Sequence, residues 1–376
     1  MEKIIYLDNA ATTKPFDEMS KIYQDCMVDF FNPSSVYDPA ISIRKKIELA
    51  RKSICEALHG EHGSVIFTSG ATEADNLALS CFKPRQGISL AVFAGEHPAV
   101  FNKAKAFENA GAKVIYLPVG KNGTLDKVED FVDSSVAFVS VMHVSNETGA
   151  INDIANICKS IKKISPKAIV HVDGVQAVGK IPVNLRALGV DMYTISAHKI
   201  HGPKGIGALW VKNGINVSPA VFGGGQEKGF RSGTENVAGI LSLEYAIKKV
   251  TAELNRNSSI VSEYRSSLID SLRNEGLSFD VNGEGSPYIL NLTFENIRGE
   301  VLLHTLEKHK IYVATGSACS SKKPENRMLK GMGKTDSQIQ GTIRISFSAY
   351  DKLDISEIAT TIANEVKILQ SKIKGK

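Results

Sequence analysis

The sequence predicts an α/β protein: a large domain on a mainly parallel, doubly wound sheet, and a smaller α+β domain. Apolar strand-like runs recur at 64–68, 89–94, 113–119, 135–144, 168–172, 192–196 and 206–211, mostly separated by stretches of helical spacing such as 73–82 and 151–164. Alternation of this kind builds parallel sheets, because parallel neighbours need a crossover long enough to hold a helix. Several runs end abruptly in small, polar or charged residues, and doubly wound sheets hold ligands beyond the carboxyl ends of their strands. After Asn236 the alternation stops. A helical pattern over 237–254, an amphipathic stretch to about 274, strand-like 288–294, helical 299–308 and strand-like 341–346 describe the smaller unit.

A chain of 376 residues exceeds one small core and suits two unequal ones. Charged residues at 23% and hydrophobic ones at 43% are those of a soluble globular protein. The net charge of +5 comes without a dense basic run, which argues against a nucleic-acid partner; Lys322-Lys323 and 374–376 read as solvated surface. No apolar segment reaches membrane-spanning length, and the first eight residues are too short and too soon acidic for a signal peptide, so a cytoplasmic protein is expected. Five cysteines, at 26, 55, 81, 158 and 319, make an odd number with no C-x-x-C pair. That excludes a disulfide framework and argues against a structural zinc site, so no metal is expected. Cys55, Cys81 and Cys158 sit in helical apolar patterns and read as packing residues.

Lys199 closes the run Met192-Tyr-Thr-Ile-Ser-Ala-His-Lys199. Taken alone it reads as a surface lysine opening a loop. At the end of a buried strand, however, desolvation lowers the pKa of an amine, which suits a lysine that must be neutral to condense with a carbonyl cofactor. Asp173 ends a second apolar run, with Gln176 three residues on. Ser64-Val-Ile-Phe-Thr-Ser-Gly-Ala-Thr-Glu-Ala-Asp75 reads as a strand breaking at Ser69-Gly70 into a helix. The first N–H groups of that helix, with the Thr72 hydroxyl, would face an anion, although an ordinary helix cap explains Ser69 to Glu73 equally well. An amine, a carboxylate for a ring nitrogen and a phosphate cradle are the needs of pyridoxal phosphate. Residues 314 to 323 then place Cys319 among small residues beside two lysines. Electropositive, exposed surroundings favour a thiolate, so Cys319 reads as a nucleophile as readily as an incidental loop thiol.

On these motifs the chain resembles the cysteine desulfurases, class V enzymes of pyridoxal phosphate fold type I that serve iron–sulfur assembly and tRNA thiolation. The matching segments are Tyr6-Leu-Asp-Asn-Ala-Ala-Thr-Thr13, Phe67-Thr-Ser-Gly-Ala-Thr-Glu73, Glu96-His97, Met142-His-Val-Ser-Asn-Glu147, His171-Val-Asp173, Ser196-Ala-His-Lys199, Arg231-Ser-Gly-Thr234 and Gly316-Ser-Ala-Cys319. They run in the family's order, and with Arg344 they cover nearly the whole chain. The resemblance implies that the N-terminal arm joins the small domain, giving a large cofactor domain over 16–245 and a small domain from 1–15 and 246–376.

The resemblance also implies roles. Lys199 would carry the cofactor and Asp173 would face its ring nitrogen. His97 would stack on the ring as a possible acid or base, and Asn146 and Gln176 would bond the ring oxygen and substituents. Ala71, Thr72, Ser196 and His198 would hold the phosphate. Thr234 would reach the phosphate of a neighbouring subunit, which implies a homodimer. Arg344 in Thr342-Ile-Arg-Ile-Ser346 is costly to bury without a carboxylate. That partner is either internal or, by resemblance, the α-carboxylate of L-cysteine, with Asn32 as helper. Cys319 would take the substrate sulfur as a persulfide, leaving L-alanine, and pass it to an acceptor protein. Small residues followed by Ser-Ser-Lys-Lys-Pro-Glu-Asn326 predict a mobile Cys319 loop.

A selenocysteine lyase needs the same cofactor site, and a non-catalytic sulfur carrier would need only the thiol. A P-loop is excluded, because the glycine required five residues before Gly333-Lys-Thr335 is Met328. A zinc reading of His198 and His201 fails for want of further ligands at suitable spacing. Thr315 stands where the family often has Ser, and the chain stops at Lys376, short of the longer tail that docks scaffold proteins in housekeeping iron–sulfur members.

Overall fold

The computed structural model describes residues 4–315 and 326–374. Cys319 and the rest of 316–325 lie outside the described residues. The strands, in chain order, are β1 Ile5–Tyr6, β2 Gly63–Thr68, β3 Ser89–Phe93, β4 Lys113–Leu117, β5 Val136–Met142, β6 Ile169–Asp173, β7 Met192–Ser196, β8 Gly207–Lys212, β9 Asp280–Val281, β10 Ile289–Thr293, β11 Ile311–Tyr312 and β12 Thr342–Ser346. The central sheet has seven strands in the order β2-β8-β7-β6-β5-β3-β4. β4, β3, β5, β6 and β7 run parallel, while β8 pairs antiparallel with both β7 and β2. β3 and β7 are buried along their whole length, as expected of strands covered on both faces.

The helices that matter first are α1 Glu18–Val28, α2 Asp38–Ala57, α3 Ala71–Leu79 and α4 Pro98–Asn109. The helix Ile154–Ile164 shows why the pattern folds as it does. Ile154, Ile157, Cys158 and Ile161 fall on one face and are buried, and Asp153 caps its start by accepting the Asn156 N–H at 3.2 Å. Cys55 and Cys158 are buried in helices, and burial pushes their thiols up to about 11 and about 12. Both are packing residues.

The second part of the chain carries an antiparallel sheet, β12-β10-β9, backed by the helices Leu254–Asn274, Gly299–Lys308 and Ile355–Lys374. Its apolar cluster draws in Ile5, Leu7 and Ala10 from the start of the chain. β1 lies parallel to β11, and Ala10 N–H donates to Ser346 Oγ at 2.8 Å. From there the arm crosses to the loop after β7. Thr13 N–H donates to the His198 carbonyl at 2.8 Å, and His201 N–H donates to Thr13 Oγ1 at 2.7 Å. Residues 8–13 thus stitch the small antiparallel sheet to the segment that bears Lys199. Among the described residues no helix is long and apolar enough to cross a membrane.

Candidate active site

The carboxyl ends of the parallel strands open on a cavity of about 500 Å³. Its lining brings together Ala71, Thr72, His97, Asn146, Asp173, Gln176, Ser196, His198, Lys199 and Arg344 from segments scattered over the sequence. Lys199 follows β7 in a single helical turn, and its Nζ donates to the carbonyls of Ala10 and Ala11 at 2.7 and 2.6 Å. Burial, and then the nearby Arg344 cation, pull its amine down to about 8 against the opposing pull of Asp8 and Asp173. A useful fraction is neutral at ordinary pH.

Asp173 ends β6 with only 5% of its surface exposed, and its Oδ1 accepts the Val175 N–H at 3.0 Å. Burial raises its carboxyl above the ordinary range, although His97, the Val175 N–H and Lys199 pull the other way. A carboxylate so placed is stabilised by any cation brought into the cavity. Gly174 follows because a Cβ there would collide with the Tyr193 ring. Behind Asp173 lies a buried polar group that joins the motif residues His171 and Glu96, to which the sequence assigned no role, with Ser140, Thr194 and Asp75. His171 bonds Ser140 at 2.9 Å and Thr194 at 2.9 Å and sits 3.6 Å from Asp75, while Ser140 donates to Glu96 at 3.2 Å. The available signal was polarity on otherwise apolar faces of β6 and α3.

His97 caps α4, with Nδ1 accepting the Ala99 N–H at 3.2 Å. A nitrogen that accepts carries no proton, so the neutral ring is protonated at Nε2. Burial first, then Lys199 and Arg327, lower its pKa and outweigh Asp173. His97 therefore enters any reaction as a neutral ring with one N–H to offer.

The opposite wall is built for an anion. The first-turn N–H groups of α3 have no carbonyl behind them in the helix. Ser196 Oγ is buried without a hydrogen-bond partner, and a Cβ on Gly70 would meet open space. Glu73 does not oppose an anion freely, because it is engaged by Arg231 at 2.8 Å and by the Ser69 N–H at 2.7 Å. An unpartnered hydroxyl, a helix start, a low-pKa amine and a buried carboxylate fit a phosphorylated pyridine aldehyde.

Two expected members lie elsewhere. Asn32 is exposed and, with Thr234, lines a separate cavity of about 410 Å³ beside α1. Within one chain Asn32 does not line the Arg344 cavity. Arg344 already has an internal carboxylate in Asp8, 336 residues away, which sequence spacing could not reveal.

The model of the family described as aminotransferase class-V matches residues 5–357. The chain belongs to that family. It is 38% identical to a protein named cysteine desulfurase from Trichormus azollae, over 92% of this chain and 88% of that protein. Among solved structures, a NifS-like protein superposes with a TM-score of 0.87 at 31% identity, covering 100% of both chains. A structure described as SspA in complex with cysteine matches with a TM-score of 0.79 at 26% identity, over 93% of this chain and 100% of that one. At these TM-scores the two neighbours share the overall fold of this chain.

Proposed function

We propose that this chain is a pyridoxal phosphate-dependent cysteine desulfurase, which removes sulfur from L-cysteine and leaves L-alanine. The observation that carries the reading is the meeting of Lys199, Asp173, Arg344 and the unpartnered Ser196 hydroxyl in one cavity. Lys199 would hold the cofactor's aldehyde carbon, Asp173 its ring nitrogen and Gln176 and Asn146 its ring oxygen and substituents. Ala71, Thr72, Ser196 and His198 would hold its phosphate, and His97 would cover the ring. When bound, the cofactor supplies an electron sink for the substrate's Cα.

The remaining work falls to the chain's own groups. Arg344, with its Nε buried and unpartnered, takes the substrate carboxylate alongside Asp8. Lys199, neutral in part because it is buried, accepts the Cα proton and returns one to the product. The Cys319 thiolate attacks the substrate sulfur: an S–S bond forms, the Cβ–S bond breaks, and its electron pair stays with the carbon fragment, which is protonated to alanine. The persulfide on Cys319 then passes to a thiol of an acceptor protein serving iron–sulfur assembly or tRNA thiolation. Thr234 would act across a homodimer, reaching the phosphate of a second copy. The separate apolar clusters support a small domain that includes the N-terminal arm; we draw its boundary after the helix Val237–Ala252, whose Ala246, Ile247 and Val250 belong to the larger cluster, rather than at 245.

The test is turnover of purified protein loaded with pyridoxal phosphate. L-cysteine should yield alanine and a persulfide on Cys319 in equal amounts before reductant is added. Protein that binds the cofactor and turns over selenocysteine but not cysteine would instead be a selenocysteine lyase. Protein that takes up no cofactor would leave the sulfur-carrier reading.

A further inference from the structure

Lys180 lies in the turn beyond β6 with 6% of its surface exposed, and its ammonium donates to Gln176 Oε1. Lysine has three donors and no acceptor, so it can bond only the oxygen end of that amide. The Gln176 amide is thereby fixed with its nitrogen facing away from Lys180. One Nε2 hydrogen is taken by the Ala10 carbonyl at 2.9 Å, and Gln176 lines the cavity, where the second is free to donate. The same Ala10 carbonyl accepts from Lys199 Nζ at 2.7 Å. Lys180, Gln176, Ala10 and Lys199 form one continuous hydrogen-bonded series that ends on the reactive amine.

We propose that Lys180 is a positioning residue which locks the Gln176 amide so that an N–H, and never the carbonyl oxygen, faces the ring oxygen of the bound cofactor. The inference rests on the reading of the pocket given above. A ring oxygen that carries negative charge would be stabilised by a donor and repelled by an amide oxygen; without Lys180 the amide would still prefer to offer an N–H there, but less rigidly, so the ring oxygen would lose part of that hydrogen bond. With the donor in place the ring oxygen would be a weaker base, and the cofactor held at Lys199 would lose its proton at a lower pH.

The charged and titratable groups facing Lys180 are Lys199, Arg344, His198 and His201. Burial, followed by Lys199 and Arg344, brings Lys180 down to about 7, and the two histidines, at about 4 each, are neutral there. As an ammonium Lys180 can only donate, whereas as a neutral amine it can also accept, so the lock is firmest below about pH 7.

The experiment is a pH titration of the visible absorbance of the holoenzyme. Lys180→Met should move the midpoint upward by roughly half to one pH unit, about half the worth of one hydrogen bond to a charged atom, because the amide is loosened and not removed. Lys180→Arg, still donor-only, should keep the wild-type midpoint. In a Gln176→Leu background most of the Lys180→Met shift should vanish. In the apoprotein, where no cofactor contributes, Lys180→Met should speed exchange of the Gln176 side-chain NH₂ as seen by NMR. Should the Met variant fail to fold, Lys180→Gln, able to donate or accept, should give a smaller upward shift. An unchanged midpoint in Lys180→Met or Lys180→Gln, or a shift equally large without the Gln176 amide, would overturn the proposal. Wild-type protein that takes up no cofactor would overturn both this and the pocket reading, a result distinct from a cofactor band indifferent to Lys180.

Discussion

Arg344 donates through Nη2 to Asp8 Oδ1 at 2.9 Å, so the guanidinium expected to meet a substrate carboxylate already holds one from its own chain. Nη1 is also engaged, by the Asn146 carbonyl at 2.8 Å, and Nε alone is buried without a partner. Asp8 neutralises a cation that would otherwise be costly in a site with 8% exposure, and a substrate carboxylate must share the guanidinium with it.

Arg344→Lys removes the forked donor set and is expected to raise KM for L-cysteine by about 10- to 100-fold, with a smaller effect on kcat. Asp8→Asn should act in the opposite sense on KM while lowering the stability of the apoprotein by about 1–3 kcal/mol. Steady-state kinetics and denaturant titration check the pair. Unchanged KM in both variants would make the ion pair purely structural.

Ser196 separates binding from folding. Its hydroxyl is buried and unpartnered, so Ser196→Ala should leave the apoprotein as stable or slightly more so, since an orphaned polar group is removed. Cofactor affinity should fall by about 10-fold or more, the worth of a hydrogen bond to a charged phosphate. Fluorescence titration of apoprotein with pyridoxal phosphate measures it; an affinity equal to wild type would take Ser196 out of the cradle.

Lys199 has its amine pulled down to about 8 by burial, below the ordinary lysine value of about 10.4 that it regains on unfolding. Between those values the unfolded chain binds more protons than the folded one, so this group makes stability rise with pH across that window. Below about pH 8 both states hold the proton and the dependence ends. The stability difference between wild-type apoprotein and Lys199→Met should therefore shift in favour of wild type from pH 8 to 10. A flat difference would mean that the folded amine titrates normally.

Cysteine reactivity should be confined. Burial raises the thiols of Cys26, Cys55, Cys81 and Cys158, which disfavours the thiolate at each. Mass spectrometry after exposure to L-cysteine should find the persulfide on Cys319, and Cys319→Ser should bind substrate yet release no sulfur from it. A persulfide on any of the other four, with none on Cys319, would refute the assignment.

The large sheet was legible because its strands are apolar runs broken by ligand-binding ends, and Asp173 and Lys199 stand at two of those ends. Strand direction was not legible: β8 is as apolar as its neighbours, and only the short connection from Lys199 through the turn at Gly205 makes it antiparallel. The short β1–β11 pairing, the Asp8–Arg344 ion pair and the Lys180–Gln176 contact escaped for different reasons. Two-residue strands carry no periodicity, Asp8 finds its partner across nearly the full chain, and Lys180 looks in sequence like any exposed lysine after a turn. Asn32 shows the converse, a motif residue that one chain's geometry leaves outside the Arg344 pocket.

The stitch made by residues 8–13 has a bearing on synthesis. Ala10 and Ala11, whose carbonyls hold Lys199, are made before the rest of the site, whereas the Ser346 hydroxyl that fixes Ala10 follows 336 residues later. A nascent chain can complete the seven-stranded sheet while the early segment waits for its anchor. Products truncated before Ser346 should therefore fold their large sheet yet leave Lys199 open to water.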